Sequence, residues 1–281
     1  TARDVTDFPQ PDSPTSATRP FSGISNETSR TGIANKLMGN AYLDWNIIPD
    51  LKLRLFASGD LSTATNNEFF SERTRWGHYA NGVASVSNNQ STGVNASATL
   101  TYKHCWKKKH NFDALAGVEI NDYGYTSYSQ QAQDFEDDSL KDQVLAKGSK
   151  ILNPVQTRNS NARFSAFGRV NYNYDWRYYL TANLRCDSSS RFAAGSRVGV
   201  FPSVSAAWRL SNEPWMRSAK RKWMDNFKIR LSAGSSGNDR IANYAFLSTM
   251  DAIYYSDGAG KEIMGVADYA FGNPKLKWET T

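Results

Sequence analysis

The sequence predicts an all-β fold, an antiparallel up-and-down transmembrane β-barrel segment. Three observations carry the prediction. Apolar and polar residues alternate through most of the chain, the alternating stretches are long enough to cross a membrane, and Trp and Tyr gather at the ends joined by short turns. A side-chain period of two means strands, each with one apolar and one polar face.

The first 1–30 residues open on "TARDVTDFPQPDSPTSATRP", a Pro/Ser/Asp-rich loop without the pattern of a signal peptide, and read as a loop and strand lead-in. Residues 31–281 carry the alternation. Leu37, Gly39, Ala41, Leu43 and Trp45 oppose Asn40, Tyr42, Asp44 and Asn46, and after a turn at 47–50, Leu51, Leu53 and Leu55 oppose Lys52, Arg54 and Phe56. Next, Val94 to Tyr102 alternate against Asn95 to Lys103; past "HCWKKKH", Phe112, Ala114, Ala116, Val118 and Ile120 oppose Asp113, Leu115, Gly117, Glu119 and Asn121. The pair around 175–177 sets Gly168, Val170, Tyr172 and Tyr174, then Tyr178, Leu180 and Leu184, against Arg169, Asn171, Asn173, Asn183, Arg185 and Asp187. Val198–Leu210 and Phe227–Ala233 form a last pair, with Arg209 and Arg230 on its polar side.

The strands are expected to run about 9–12 residues, the length of a tilted membrane-spanning strand rather than the roughly 5–6 of ordinary sheets. Connections at 47–50, 104–110 and 175–177 are short, those at 60–92 and 123–162 long and polar, and 211–226 reads as an extended turn or small helix. Outer-membrane barrels have this asymmetry of short periplasmic turns and longer extracellular loops. Trp45, Trp106, Trp176 and Trp208 fall at or beside the short-turn ends with Tyr174 and Tyr178, as in a girdle at the lipid–water boundary. Arg169, Asn171, Asn173, Asn183, Arg185, Asp187, Arg209 and Arg230 are then expected to face a lumen, because a charge on the lipid face costs about 2–4 kcal/mol at the midplane. Ligand contact is expected in the long loops 60–92 and 123–162, where function usually concentrates.

Composition excludes several classes. The chain is 40% hydrophobic, but no apolar run approaches the roughly 18 residues of a membrane-spanning helix. The net charge of +6 is spread through strands rather than gathered on one basic stripe, which argues against nucleic acid. Two cysteines, Cys105 and Cys186, make no disulfide framework, and are expected as free thiols near opposite ends of their strands.

Candidate chemistry is thin, and no enzyme, cofactor or metal is expected. His104, Cys105 and His110 are transition-metal ligand types, but match no standard zinc spacing and read as a basic turn. His78 stands alone in a loop, and Ser189, His78 and Asp187 form a triad only on paper. "AGSSGND", Ala233–Asp239, follows a strand rather than opening a helix, so it reads as a glycine-rich loop start and not a phosphate cradle. "KRKWMDN", Lys220–Asn226, reads as a structured periplasmic turn in preference to a membrane-surface amphipathic segment.

The stretches "SAFGRVNYNYDWRYYLTANLRCDSSSRF", "FPSVSAAWRLSNEPWM", "GNDRIANYAFL" and "NPKLKWETT" resemble, in that order, the barrel of SusC/RagA-type TonB-dependent outer-membrane receptors of Bacteroidetes. "NAYLDWNIIPDLKLRLFAS" resembles an earlier strand pair of the same barrel. The sequence departs from the family's Arg-x-Asp-Gly-Ser-Ser run at Cys186 and Ser188, and its "HCWKKKH" turn is unusually basic. The resemblance implies part of a plugged, 22-stranded-type barrel, whose plug, TonB box and N-terminal domain lie outside this sequence. It implies nutrient import, of glycan or peptide, with a SusD-like surface lipoprotein as lid, TonB as motor and outer-membrane lipid as surroundings. Alone, such a segment is expected to be an open, curved sheet with unpaired edge strands. The competing expectation is a soluble carbohydrate-binding β-sandwich, whose strands would bury the same apolar face against a second sheet.

Overall fold

A computed structural model describes residues 28–136, 145–217, 226–256, 258 and 262–281. Strands β1 (Thr28–Ile48), β2 (Leu51–Phe70), β3 (Val83–Trp106), β4 (His110–Gln133), β5 (Lys150–Ile151), β6 (Val155–Tyr174), β7 (Tyr178–Ser189), β8 (Val198–Arg209) and β9 (Lys228–Gly234) form one nine-stranded sheet. Its path is β1-β2-β3-β4-β6-β7-β8-β9, each strand beside its sequence neighbour, with the short β5 laid against the end of β4. Two small antiparallel pairs follow: β10 (Gly237–Asn238) with β13 (Glu279–Thr280), and the hairpin of β11 (Thr249–Ser256) and β12 (Glu262–Ala270). The path does not close on itself, so β1 and β9 are edges, and among the described residues no second sheet of comparable size offers a sandwich partner. The expected open segment is what forms. Among the described residues, helix is confined to short turns in the connections and to α1 (Pro214–Arg217).

Strand length departs from expectation. β1, β2 and β6 run 21, 20 and 20 residues and β3 and β4 run 24 each, while β7 and β8 keep to 12. The supposed loops 60–92 and 123–162 contract to 71–82 and 134–154. The reason is that ladder hydrogen bonds do not require an apolar face. Stretches such as "LSTATNNE" and "SVSNNQST" lose the lipid-type alternation yet keep β-compatible residues that bond across the ladder, as Thr65 does to Asn88 and Asn66 to Ser87. Residues 1–27 of the lead-in and 218–225, which hold all of "KRKWMDN" but Asn226, lie outside the described residues, and β1 begins at Thr28.

The short connections are where expected, and their geometry explains why. Lys107 and Lys108 have φ of 51° and 57°, and Asp175 and Trp176 have 50° and 55°, both central residues left-handed in each case. Lys109 N–H donates to the Trp106 carbonyl and Arg177 N–H to that of Tyr174, which makes both turns type I′, the form matched to strand twist. The turns also bond along the sheet end: Lys103 N–H to the Asp50 carbonyl, Asp175 N–H to Lys109, Arg209 N–H to Arg177.

Contacts divide the chain into two units. The smaller holds Asn66–Ser87 and Ser129–Pro154 with the start of β1, and has its own core: Phe69, Ala84, Ala132 and Phe135 buried, Leu145 against them, and the Phe69 and Phe135 rings edge to face at 5.7 Å. The larger holds the rest of the sheet, with an aromatic cluster in which Trp278 meets Phe192 at 5.4 Å and Phe201 at 5.3 Å.

Left-handed backbone costs an L-residue about 1–2 kcal/mol. Replacing Lys107-Lys108 by Asn-Gly, the preferred type I′ pair, is therefore expected to stabilise the sheet by about 1 kcal/mol, read as a higher thermal midpoint in detergent.

Candidate functional site: a polar face and its two ends

Register decides which side chains share a face. Between β6 and β7, Arg169 faces Asn183, Asn171 faces Thr181, Phe167 faces Arg185 and Ser165 faces Asp187. The β7–β8 pairing aligns Asn183 with Ser203 and Arg185 with Phe201, and β8–β9 aligns Ala207 with Arg230 and Arg209 with Lys228. Arg169, Asn171, Asn173, Asn183, Arg185, Asp187, Arg209 and Arg230 thus all lie on one face. The opposite face carries Val170, Leu184, Val204 and Leu231, all exposed, and Leu231 is 78% so.

The polar face is bonded across four strands. Lys103 pairs with Asp113, Asn171 donates to Asp113, and Thr181 donates to Asn171. Nearer the long loops, Asn95 bridges Asn121 and Glu119. Arg185 reaches Glu119 at 3.6 Å, Asp187 at 2.9 Å and the Ser165 hydroxyl at 2.9 Å, with its guanidinium over the Phe167 ring. Asp187 and Ser165 are buried, and a buried carboxylate is tolerable only when paired in this way. Asn183 donates to Ser203. Arg169 and Arg230, by contrast, have no ion-pair partner among the described residues.

At the long-loop end, a segment the sequence marked only as a motif is tied onto the sheet. Ser189 donates to Asp239, and Arg191 donates to Asn243 and to the Asp239 carbonyl. Asn243 donates to Asn159, while the Ser160 and Tyr244 hydroxyls are 2.8 Å apart. "AGSSGND" departs slightly from a plain loop start, because pairing resumes at Gly237–Asn238 against β13. A Cβ on Gly237 would fall on the Phe201 ring, so only glycine lets the ring seat there. Phe201 itself is a buried aromatic at a polar-face position, held by Trp278, whose indole N–H donates to the Arg197 carbonyl.

At the short-turn end, rings on the apolar face form a ladder. Tyr174 stacks on Tyr178 and Tyr178 on Trp208, each at 6.3 Å, and His110 lies 4.9 Å from Tyr174. Trp106 contacts His104 and Phe112. Trp45, Trp106, Trp176 and Trp208 are exposed, and Trp176 stands on its turn outside the stack. His104 and His110 go separate ways, His104 to the Asp50 carboxylate and His110 to the Tyr172 hydroxyl, so with Cys105 they build no common ligand set.

Glu213, in the connection between β8 and β9, closes this end. Its buried carboxylate accepts from the Tyr178 hydroxyl at 2.7 Å, the Trp208 indole at 2.8 Å and Arg177 at 2.9 Å. The Tyr178 hydrogen bond foremost, then those of Trp208 and Arg177, hold the carboxyl below its usual range against the opposing effect of burial. Sequence reasoning missed this residue, although it sits inside "NEPWM". Both thiols are free: Cys186 pairs with Ala166 and Val200 on the apolar face, eight residues beyond Tyr178, and Cys105 precedes the last residue of β3.

This two-faced sheet of over-long strands joined by type I′ turns has the architecture of a membrane barrel wall. Residues 2–281 match the family described as TonB dependent receptor-like, beta-barrel. The chain belongs to that family. It is therefore an outer-membrane β-barrel segment of transporters and receptors rather than of enzymes. TonB-dependent receptor P3 of Formosa agariphila is 28% identical over 88% of the chain and 24% of its own length. TonB-dependent receptor SusC of Bacteroides thetaiotaomicron is 24% identical over 99% of the chain and 28% of its own length. A solved structure of the RagAB peptide transporter superposes with a TM-score of 0.81 at 23% identity, covering 92% of the chain and 28% of the matched one. The segment is similar to SusC and to the RagAB transporter, and it spans about a quarter of the length of these relatives.

Two outcomes test the site's energetics. Arg185→Met leaves the buried Asp187 without its cation and is expected to cost about 2–3 kcal/mol, seen as a lower midpoint of heat modifiability on gels. Because the Glu213 carboxyl is depressed, its contribution is fully present above the unfolded value of about 4.3 and is lost as pH falls through the lower folded one. Acid titration below pH ~4 is expected to destabilise the native protein more than Glu213→Gln, the two curves converging at the acid end.

Proposed function

We propose that this segment forms part of the wall of an outer-membrane importer that carries oligosaccharide or peptide nutrients. In this reading a SusD-like surface lipoprotein serves as lid and TonB, acting through a region beyond this segment, as the energy source. The observation that carries it is the register: eight polar and charged residues share one face while large aliphatic side chains stand exposed on the other. Only lipid makes that second face inexpensive, since water would meet it as an extended apolar patch. Arg169, Asn171, Asn173, Asn183, Arg185, Asp187, Arg209 and Arg230 then line the lumen. Trp45, Trp106, Tyr174, Trp176, Tyr178 and Trp208 mark the inner lipid boundary, with the short turns in the periplasm and the long loops outside. Similarity to SusC and to the RagAB peptide transporter supports the import reading and leaves both cargo classes open.

Disrupting the gene is expected to abolish growth on the cargo polymer as sole nutrient, and loss of TonB is expected to give the same defect. Growth unchanged on every nutrient would sink the import reading. Sidedness has its own test. Eight residues of strand rise separate Cys186 from the turn end, about 26 Å. An impermeant maleimide is expected to label Cys105 only after the periplasm is opened, and labelling of Cys105 on intact cells would reverse the topology.

A further inference from the structure

We propose that the connection between β2 and β3, residues 71–82, is a binding platform for acidic oligosaccharides, an assignment that rests on the importer reading and narrows its cargo.

The connection is built rather than loose. The Ser71 carbonyl accepts from Thr74 N–H and from the Thr74 hydroxyl, and that hydroxyl accepts from Gly77 N–H. His78 N–H returns to the Thr74 carbonyl, and Ala80 and Gly82 N–H both return to Gly77. Asn81, left-handed at φ 48°, donates its side-chain amide to Asp134, while its carbonyl accepts from Phe135 N–H. Beneath lie buried Phe69 and Ser71, and a Cβ on Gly77 would strike the Ser71 carbonyl. A connection so constrained is pre-organised, which lowers the ordering cost of binding.

What this scaffold presents is unusual for a surface. Trp76 is 75% exposed and Tyr79 is 94% exposed, and neither covers a core. Isolated exposed leucines need no explanation, but two large rings three residues apart in one constrained connection do, even with the Tyr79 ring edge to face with His78 at 5.4 Å. Arg73 and Arg75 stand just before them in the chain, both exposed and without an ion-pair partner among the described residues; Glu72 is the one acidic residue within 71–82.

The backbone argues against a peptide as occupant. Peptide recognition by strand addition needs free N–H and C=O groups along an edge. Here the N–H groups of Thr74, Gly77, His78, Ala80 and Gly82 are spent inside the connection, and the carbonyls of Ser71, Thr74, Gly77, Ala80, Asn81 and Gly82 are spent there or on Asp134 and Phe135. What is left is ring faces and guanidinia. The C–H face of a pyranose stacks on an aromatic ring, and a planar guanidinium takes a carboxylate or sulfate ester bidentately. An oligosaccharide carrying such groups uses both.

The test uses the intact receptor in outer-membrane vesicles, with hexagalacturonate and a sulfated galactan hexasaccharide as acidic probes, maltohexaose as the neutral one and an acidic decapeptide as the competitor class. At least one acidic saccharide is expected to bind tenfold or more tighter than maltohexaose. Trp76→Ala with Tyr79→Ala should reduce that binding at least tenfold, and Arg73→Gln with Arg75→Gln should remove most of its salt dependence. Both side-chain pairs are exposed, so heat modifiability should stay at the wild-type value and separate lost binding from lost folding. Preference for maltohexaose or the peptide, no binding of either acidic probe, or acidic binding indifferent to both double variants would overturn the platform. Each of those results leaves the growth and TonB phenotypes standing, so a wrong platform is distinguishable from a wrong importer.

Discussion

The constraint on which the rest depends is that a backbone facing hydrocarbon must find every hydrogen-bond partner in the neighbouring strand, because lipid supplies none. That requirement lines up the strands antiparallel and in sequence order. It also makes register absolute: a slip of one residue between β6 and β7 would carry Arg169 and Arg185 to the side of Val170 and Leu184. The charges on one face and the aliphatics on the other are two consequences of one pairing. Neither strand length nor turn type is independent of it. Type I′ turns keep adjacent strands in phase, and the left-handed conformations of Lys107, Lys108, Asp175 and Trp176 are carried because slippage would cost more than the strain.

The two ends of the sheet are held by different chemistry. At the short-turn end stacked rings run from His110 through Tyr174 and Tyr178 to Trp208, and Arg177 lies over both tyrosines while it pairs with Glu213. Rings with polar tips suit a boundary where one side is apolar and the other wet. At the long-loop end the fasteners are hydrogen bonds from Ser189 and Arg191 to the 239–243 segment and the wedge of Trp278 between Phe192 and Phe201. These tie a long connection to the wall without needing lipid.

What could be read from sequence was whatever lipid enforces. The faces of β6 to β9 and the short turns follow from alternation, because burial in hydrocarbon punishes each exception. Strand ends did not follow, since beyond the apolar band the ladder continues on Thr, Ser and Asn without a marker that separates it from loop. Phe201 breaks the alternation for a partner 77 positions away, Trp278, and no local pattern announces that contact. His104 and His110 look like ligands in a line of text but belong to an aromatic ladder in space. Glu213 reads as an ordinary surface acid, and only the approach of Tyr178, Trp208 and Arg177 makes it a buried anchor.

The stretches that carry the family resemblance fasten the sheet to its connections. Arg185 and Asp187 bond each other, Ser189 and Arg191 hold the 239–243 segment, Phe192 receives Trp278, and the Glu of "NEPWM" holds the turn end. A side chain with its donors committed gains little from a passing ligand, because each new bond replaces an old one and only the difference counts. On the polar face this sets Arg185 apart from Arg169 and Arg230, which share its face but not its partners. The same reasoning extends to the 71–82 connection, where many backbone groups are bonded within the fold while the side chains of Trp76, Arg73 and Arg75 stand exposed. In the importer reading, cargo specificity belongs to the side chains this architecture leaves uncommitted, and those are the residues least visible to resemblance.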